Sequence, residues 1–310
     1  MRCCLIGGAG FIGTQVAKLL VESGREVVIL GRESKPRHTL PEAVKYFSED
    51  CNDSLQLREI ISNVEQVIDL AYATVPKTSF DDPVFDILSN LPRTVRLFQE
   101  AAAAKIRRLV VVSSGGTVYG IAKSIPIAED HPTNPISPYG ITKLAIEKYA
   151  RMYAAVEKLP FVVVRPGNAY GEAQAAFKGQ GFIATAIRSV LMVKKVAVFG
   201  AQGTIRDYIH VADVARGIIA ALDFGETGEI YNIGSGVGYS NMEVLNMLQP
   251  LARKAGYPIN VDRLPPREFD VPVNILDSRK LKSIARWEPR VPFESGLGWT
   301  WDAALKTFPK

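Results

Sequence analysis

The chain has 310 residues, 47% hydrophobic and 22% charged, with a formal net charge of +5 at pH 7. That composition fits an ordinary folded enzyme with room for one large domain or a domain plus a substantial lobe, and it excludes a disordered or fibrous chain. Three cysteines and three histidines, in no ligand-like spacing, exclude a disulfide framework and predict no metal site. No apolar run reaches the roughly 18 residues that span a bilayer, and the short basic run of Arg32, Lys35, Arg37 and His38 comes with no nucleic-acid recognition motif.

Met1-Arg2 leads directly into a short apolar run and then glycines, a pattern unlike a secretory signal. The expectation is a reduced, cytoplasmic enzyme with neither membrane nor nucleic acid as partner. In chain order, apolar runs at residues 3–6, 26–30, 67–71, 109–113 and 161–165 alternate with helical stretches. Val16, Leu19 and Leu20 show the helical spacing in the first of these. Short, continuous, β-branched runs between helices read as strands buried on both faces of a parallel sheet. The predicted fold class is α/β, a Rossmann-type doubly wound sheet, with a smaller C-terminal α/β lobe. Cys3 and Cys4 fall in the first run and are expected to be buried.

After Pro166 the rhythm changes, with more Gly- and Pro-containing loops and isolated short strands. Helices are expected at 182–190 and 241–255, the second opened by a Ser240/Glu243 capping box. Residues 1–165 therefore read as a dinucleotide-binding domain that also carries the catalytic pair. Residues 166–310 read mainly as the substrate lobe, with some segments returning to the main sheet.

The first run enters Gly7-Gly8-Ala9-Gly10-Phe11-Ile12-Gly13, followed by a helix. Glycines at 7, 10 and 13 permit a tight turn, backbone approach to a pyrophosphate, and close packing of helix on strand. The second run ends Leu30-Gly31-Arg32. Gly31 stands where NAD-binding chains place an acid for the adenine ribose, and Arg32 is suited to a 2′-phosphate. NAD and NADP both remain candidates, with a lean to NADP.

Ser137-Pro138-Tyr139-Gly140-Ile141-Thr142-Lys143 places a tyrosine and a lysine four apart, on one face of a helix. A lysine charge beside the phenol, together with a positive nicotinamide, favours the phenolate. Tyr139 is then able to exchange a proton with an alcohol as hydride is transferred.

With these motifs the chain resembles the extended short-chain dehydrogenase/reductase family, in its nucleotide-sugar epimerase and reductase branch, over nearly its whole length. The resemblance implies further site residues. Asp50-Cys51 is similar to the adenine-contacting turn, and Leu70-Ala71-Tyr72 to the fourth-strand motif, although Asp69 stands where a histidine is common. Asn90 and Thr94 match the asparagine helix. Ser113-Ser114-Gly115-Gly116-Thr117-Val118-Tyr119-Gly120 resembles the strand that brings the catalytic hydroxyl. In 4-epimerases its third position carries the catalytic serine, and here that position is Gly115. Ser114 or Thr117 must supply the hydroxyl, and Thr117 is favoured. The related dehydratases place an Asp-Glu pair where this chain has Gly116-Thr117, so elimination of water is disfavoured.

In the lobe, Asn168, in a loop opened by Pro166, resembles the diphosphate-contacting asparagine. Arg206 and Tyr208 lie in a stretch typical of nucleotide-sugar members, with Arg206 implied to grip diphosphate. Arg267 and Asp270 match an Arg-x-x-Asp pattern implied to hold phosphate and ribose, and Phe199 is implied to line the base. The resemblance thus implies a nucleoside-diphosphate-hexose 4-epimerase acting on a UDP- or dTDP-hexose, as a homodimer. A 4-ketoreductase consuming NADPH is the alternative, favoured by Gly31 and Arg32. A non-catalytic dinucleotide sensor is a third reading, opposed by retention of both Tyr139 and Lys143.

Overall fold

A computed structural model describes residues 1–48, 54–176, 181–267 and 270–308. The predicted Asp50-Cys51 turn lies outside the described residues. The first half runs β1 (Arg2–Ile6), α1 (Phe11–Glu22), β2 (Glu26–Gly31), β3 (Lys45–Ser48), α2 (Ser54–Ser62), β4 (Gln66–Asp69), α3 (Pro76–Asp81), α4 (Pro83–Ala103), β5 (Arg108–Val112), α5 (Pro138–Glu157) and β6 (Phe161–Pro166). The second half runs β7 (Asn168–Tyr170), α6 (Phe182–Leu191), β8 (Val196–Phe199), β9 (Ile205–His210), α7 (Val211–Phe224), β10 (Ile230–Ile233), β11 (Gly238–Ser240), α8 (Asn241–Lys254), β12 (Val261–Leu264), β13 (Val273–Asn274), α9 (Arg279–Ala285) and α10 (Phe293–Thr307).

Seven strands form one parallel sheet in the order β10-β6-β5-β4-β1-β2-β3. The chain winds outward from β1 in one direction and from β4 in the other, so a crevice opens above β1 and β4 at the carboxyl ends of the strands. One face of the sheet packs Leu5, Ile29, Val110 and Val162 against α1 and α7. The other packs Ile6, Val28, Val67 and Val111 against α2, α4 and α5. Burial on both faces explains why these strands read as continuous apolar runs.

β10 comes from beyond residue 166 and pairs with β6, completing the main sheet. β7, α6, β8, β9, α8 and α10 have a core of their own around Tyr170, Ile187, Val198, Leu248 and Trp301, whereas α7 and Leu281 of α9 belong to the core of the main sheet. A small sheet of β7, β9, β11 and β13 leads from that core toward the crevice.

Candidate active site

The crevice begins at the glycine turn. Gly7 has φ +75°, and a Cβ there would lie 2.8 Å from the Ala71 Cα. Only glycine combines that backbone with that approach. Gly10 caps α1 without a side-chain bond, and Phe11 and Ile12 open the helix with no acidic residue in the first turn. Unmatched N–H groups of this turn are suited to a pyrophosphate. A cleft runs from Gly7 and Gly10 past Arg32 and Leu70 to Ala71, Tyr72 and Asn90. Its glycine floor, apolar walls and helix N-terminus fit a dinucleotide.

Asn90 shapes one wall. Its Oδ1 accepts from the Ala73 N–H at 2.7 Å, and its amide donates to the Asp86 carbonyl at 2.7 Å. Beside it, Asp69 and Arg93 form a buried two-pronged pair at 3.1 and 3.0 Å. Arg93 also donates to the Ala71 carbonyl at 2.9 Å and to the Thr94 hydroxyl at 2.9 Å. The position expected to hold a histidine thus anchors the loop after β4.

The Tyr139–Lys143 pair is set by the start of α5. Ser137 caps that helix by accepting from the Gly140 N–H, and Pro138 supplies a preset first turn. Tyr139 and Lys143 lie one turn apart, and both are buried. The Lys143 ammonium donates to the Val112 carbonyl at 2.8 Å, stands 4.0 Å from the Tyr72 ring centre and 5.7 Å from that of Tyr139. The Tyr72 and Tyr139 rings meet edge-on at 4.7 Å.

Burial pushes the Tyr139 phenol above its ordinary pKa, and the Asp86 carboxylate pushes it further. The neighbouring Ser114 hydroxyl acts in the opposite direction. Lys143 is brought down to about 8, mainly by burial and against the pull of the Asp69 carboxylate. The expected acidification of Tyr139 by Lys143 is therefore not what dominates this geometry. Burial outweighs it. Asp86, which the sequence reading did not single out, is fully buried and accepts from the Thr74 and Thr142 hydroxyls.

Of the two candidate hydroxyls, Ser114 is the one near enough to Tyr139 to act on its pKa, whereas Thr117 Oγ1 is buried with no hydrogen-bond partner among the described residues. The sequence favoured Thr117; both hydroxyls remain candidates, Ser114 acting on the Tyr139 pKa and Thr117 carrying an unpartnered buried oxygen. Ser113 donates to Glu147 at 2.5 Å, and Glu147 pairs with Arg165 at 2.6 Å, so that hydroxyl faces the interior. Gly115 is enforced by packing. A Cβ there would lie 2.5 Å from a Leu276 methyl and 2.8 Å from the Arg165 carbonyl.

The lobe reaches the catalytic strand through three contacts. The Gly115 N–H donates to the Pro166 carbonyl at 2.8 Å, a Cβ at Gly116 would lie 3.3 Å from Asn168 Oδ1, and Asn274 donates to the Gly115 carbonyl at 2.9 Å. Asn274 is in register with Arg206 on the neighbouring strand. Arg206 donates to the Ile205 carbonyl and forms no ion pair with a described carboxylate. Burial lowers its pKa, and the Tyr208 and Asp270 charges oppose that while Arg267 adds to it. Arg267 pairs with Asp270 at 2.8 and 2.9 Å and lies 4.0 Å over the Phe199 ring. Tyr208 accepts from Asn241 at 3.3 Å in the lobe core. Two guanidiniums against one aspartate leave an excess of positive charge, suited to a diphosphate.

A parallel sheet with a glycine turn at its crevice, and a helix packing a buried tyrosine and lysine against Tyr72 of that crevice, define a Rossmann-type enzyme of the short-chain dehydrogenase/reductase class. The family model described as the NAD dependent epimerase/dehydratase family matches residues 3–234, and the chain belongs to that family. It is similar to the UDP-glucose 4-epimerase of Mycolicibacterium smegmatis, 32% identical over 308 residues and covering 97% of each chain. A crystal structure of UDP-glucose 4-epimerase with UDP-glucose from Thermotoga maritima superposes with a TM-score of 0.93 at 31% identity, over 99% of each chain. The Thermus thermophilus UDP-glucose 4-epimerase in complex with NAD superposes with a TM-score of 0.91 at 32% identity, over 99% of this chain and 100% of that one.

Proposed function

We propose that this chain is a nucleoside-diphosphate-hexose 4-epimerase that works through a transient 4-keto sugar. The observation that carries the reading is the buried Tyr139 phenol beside Lys143, both packed against Tyr72, which lines the glycine-floored cleft. A nicotinamide dinucleotide held in that cleft would supply the acceptor and donor of hydride at C4. Gly7, Gly10, Phe11, Ile12 and Gly13 would hold its pyrophosphate, and Leu70, Ala71, Tyr72, Asn90 and Pro166 would wall it in.

Tyr139 holds and moves the O4 proton. Its burial favours the protonated phenol, ready to return the proton to the 4-keto oxygen. Ser114 orients the same oxygen. Arg206, Arg267, Asn168 and Asp270 would hold the diphosphate and ribose while the hexose turns over, and Phe199 would shape the base-binding end, whereas Tyr208, expected to touch substrate, packs in the lobe core. Holding the nucleotide at a distance lets the 4-keto ring present its opposite face without leaving the site. Gly116 and Thr117 carry no acid, so loss of water is opposed.

A second reading, an NADPH-dependent 4-ketoreductase, is favoured by one feature: Gly31 and Arg32 at the ribose end of the cleft lean to NADP. Purified protein given UDP-galactose, or its N-acetyl relative, without added cofactor separates the two. Interconversion with no net loss of NADPH supports the epimerase; stoichiometric NADPH consumption with a 4-keto sugar supports the reductase. Tyr139→Phe should lower either activity by ~100-fold or more while leaving the fold intact.

The homodimer is supported by exposed apolar side chains along two adjacent helices, Phe85 and Leu88 on α4 and Ile141, Met152 and Val156 on α5. Light scattering coupled to gel filtration tests it. No helix among the described residues is long and apolar enough to cross a membrane.

A further inference from the structure

Beyond the two residues at the end of β2, the structure brings a third to the same spot. Tyr46, on β3, is opposite Ile29 in register. Ile29 and Gly31 share a face of β2, and the Tyr46 ring leans along that face toward Gly31. Its hydroxyl donates to the Glu33 carbonyl at 2.6 Å. A Cβ at Gly31 would lie 2.5 Å from this oxygen and 3.0 Å from the ring. The tethered phenol therefore fills the space into which an acidic side chain at position 31 would project.

Charge around the phenol points one way. Arg32, Lys35 and Arg37 line this end of the cleft with Glu33. The Glu33 carboxylate accepts from the Arg37 side chain, and Arg32 forms no ion pair with a described carboxylate. A ribose arriving here meets an exposed guanidinium and a neutral phenol.

We propose that Tyr46 is a positioning residue for dinucleotide choice: by occupying the acid's place and tying down the 31–33 turn, it commits the cleft to a dinucleotide bearing an adenosine 2′-phosphate, which Arg32 receives. The proposal rests on the dinucleotide-binding reading of the cleft but not on the epimerase reading. The phenol already donates to Glu33, so Tyr46 acts by shape and by anchoring the turn. Arg32 supplies the attraction, through the paired donors that suit phosphate.

The test is calorimetric binding of NADP⁺ and NAD⁺, and of the fragments 2′,5′-ADP and 5′-ADP, to the full chain stripped of nucleotide. Wild type should bind NADP⁺ at least ~10-fold more tightly than NAD⁺, the gain from one charge-assisted contact. Arg32→Ala should remove most of that ratio by weakening NADP⁺ alone. Gly31→Asp should weaken both dinucleotides, because the new carboxylate meets Tyr46. Adding Tyr46→Ser to Gly31→Asp should restore NAD⁺ and invert the preference, whereas Tyr46→Phe, which keeps the ring, should retain most of the wild-type ratio. Equal or tighter binding of NAD⁺ by wild type would overturn the proposal. So would a Gly31→Asp variant that switches preference with Tyr46 in place. Failure to bind either dinucleotide would sink the cleft assignment itself. Tight NADP⁺ binding without conversion of UDP-hexose would sink only the epimerase reading.

Discussion

The Lys143 ammonium stands 4.0 Å from the centre of the Tyr72 ring, closer than to Tyr139, and donates to the Val112 carbonyl. Its charge is compensated at a distance by Asp69, Glu147 and Asp86, and burial leaves its pKa at about 8. A charge that must serve the phenol is thus held where it is easily lost to alkali. Epimerisation should fall as pH rises through about 8, checked by the pH profile of kcat/KM. A profile flat well beyond that value would show that the ammonium is dispensable.

The same depressed pKa makes a stability prediction. Between about 8 and 10.5 the unfolded chain carries the Lys143 proton and the folded chain does not, so wild-type stability gains with pH across that window. Lys143→Met removes a buried ammonium, and is expected to be inactive yet more stable at neutral pH by about 1 kcal/mol or more. The advantage should shrink as pH approaches 10.5, measured by urea unfolding at several pH values. An advantage independent of pH would contradict the assignment.

Ser114 and Thr117 are separable by substitution. Ser114→Ala removes the one hydroxyl that opposes the rise in the Tyr139 pKa. It should lower kcat by ~10- to 100-fold. Thr117→Val should change kcat by less than about threefold, since its hydroxyl bonds nothing among the described residues. The reverse ranking would return the catalytic hydroxyl to Thr117.

Asp69→Asn should be among the more damaging substitutions away from the reacting atoms. It strands the buried Arg93 guanidinium, an effect worth about 3–5 kcal/mol. Because Arg93 also holds the Ala71 carbonyl, dinucleotide affinity should fall with stability. The double change Asp69→Leu with Arg93→Met should recover most of the stability, as chemical denaturation would reveal.

Restoring a serine at position 115 should not restore a more usual site. Gly115→Ser drives its Cβ against Leu276 and the Arg165 carbonyl, and is expected to destabilise by about 1–3 kcal/mol without raising activity. Adding Leu276→Ala should relieve only the Leu276 part of the overlap. A Gly115→Ser protein as stable as wild type would show that the turn after β5 has room to move.

Much of the fold was legible because its signals are local. The glycine turn, the parallel strands and the Tyr139–Lys143 spacing each follow from backbone geometry over a few residues. The Ser240/Glu243 capping box forms as expected, with reciprocal bonds of 2.7 and 3.1 Å. The excess charge of Arg206 and Arg267 was legible too, because the motifs carrying it are contiguous.

The chain order of residue types by itself determined the parallel sheet, the dinucleotide turn and the presence of a phenol and an ammonium on one helical face. Tertiary structure alone decided their working states. It set Asp86 behind Tyr139, joined Asp69 to Arg93, and stood Tyr46 over Gly31. The physical reason is that helix and strand periodicity act over a few residues, whereas desolvation and steric exclusion depend on atoms from several elements meeting in one place.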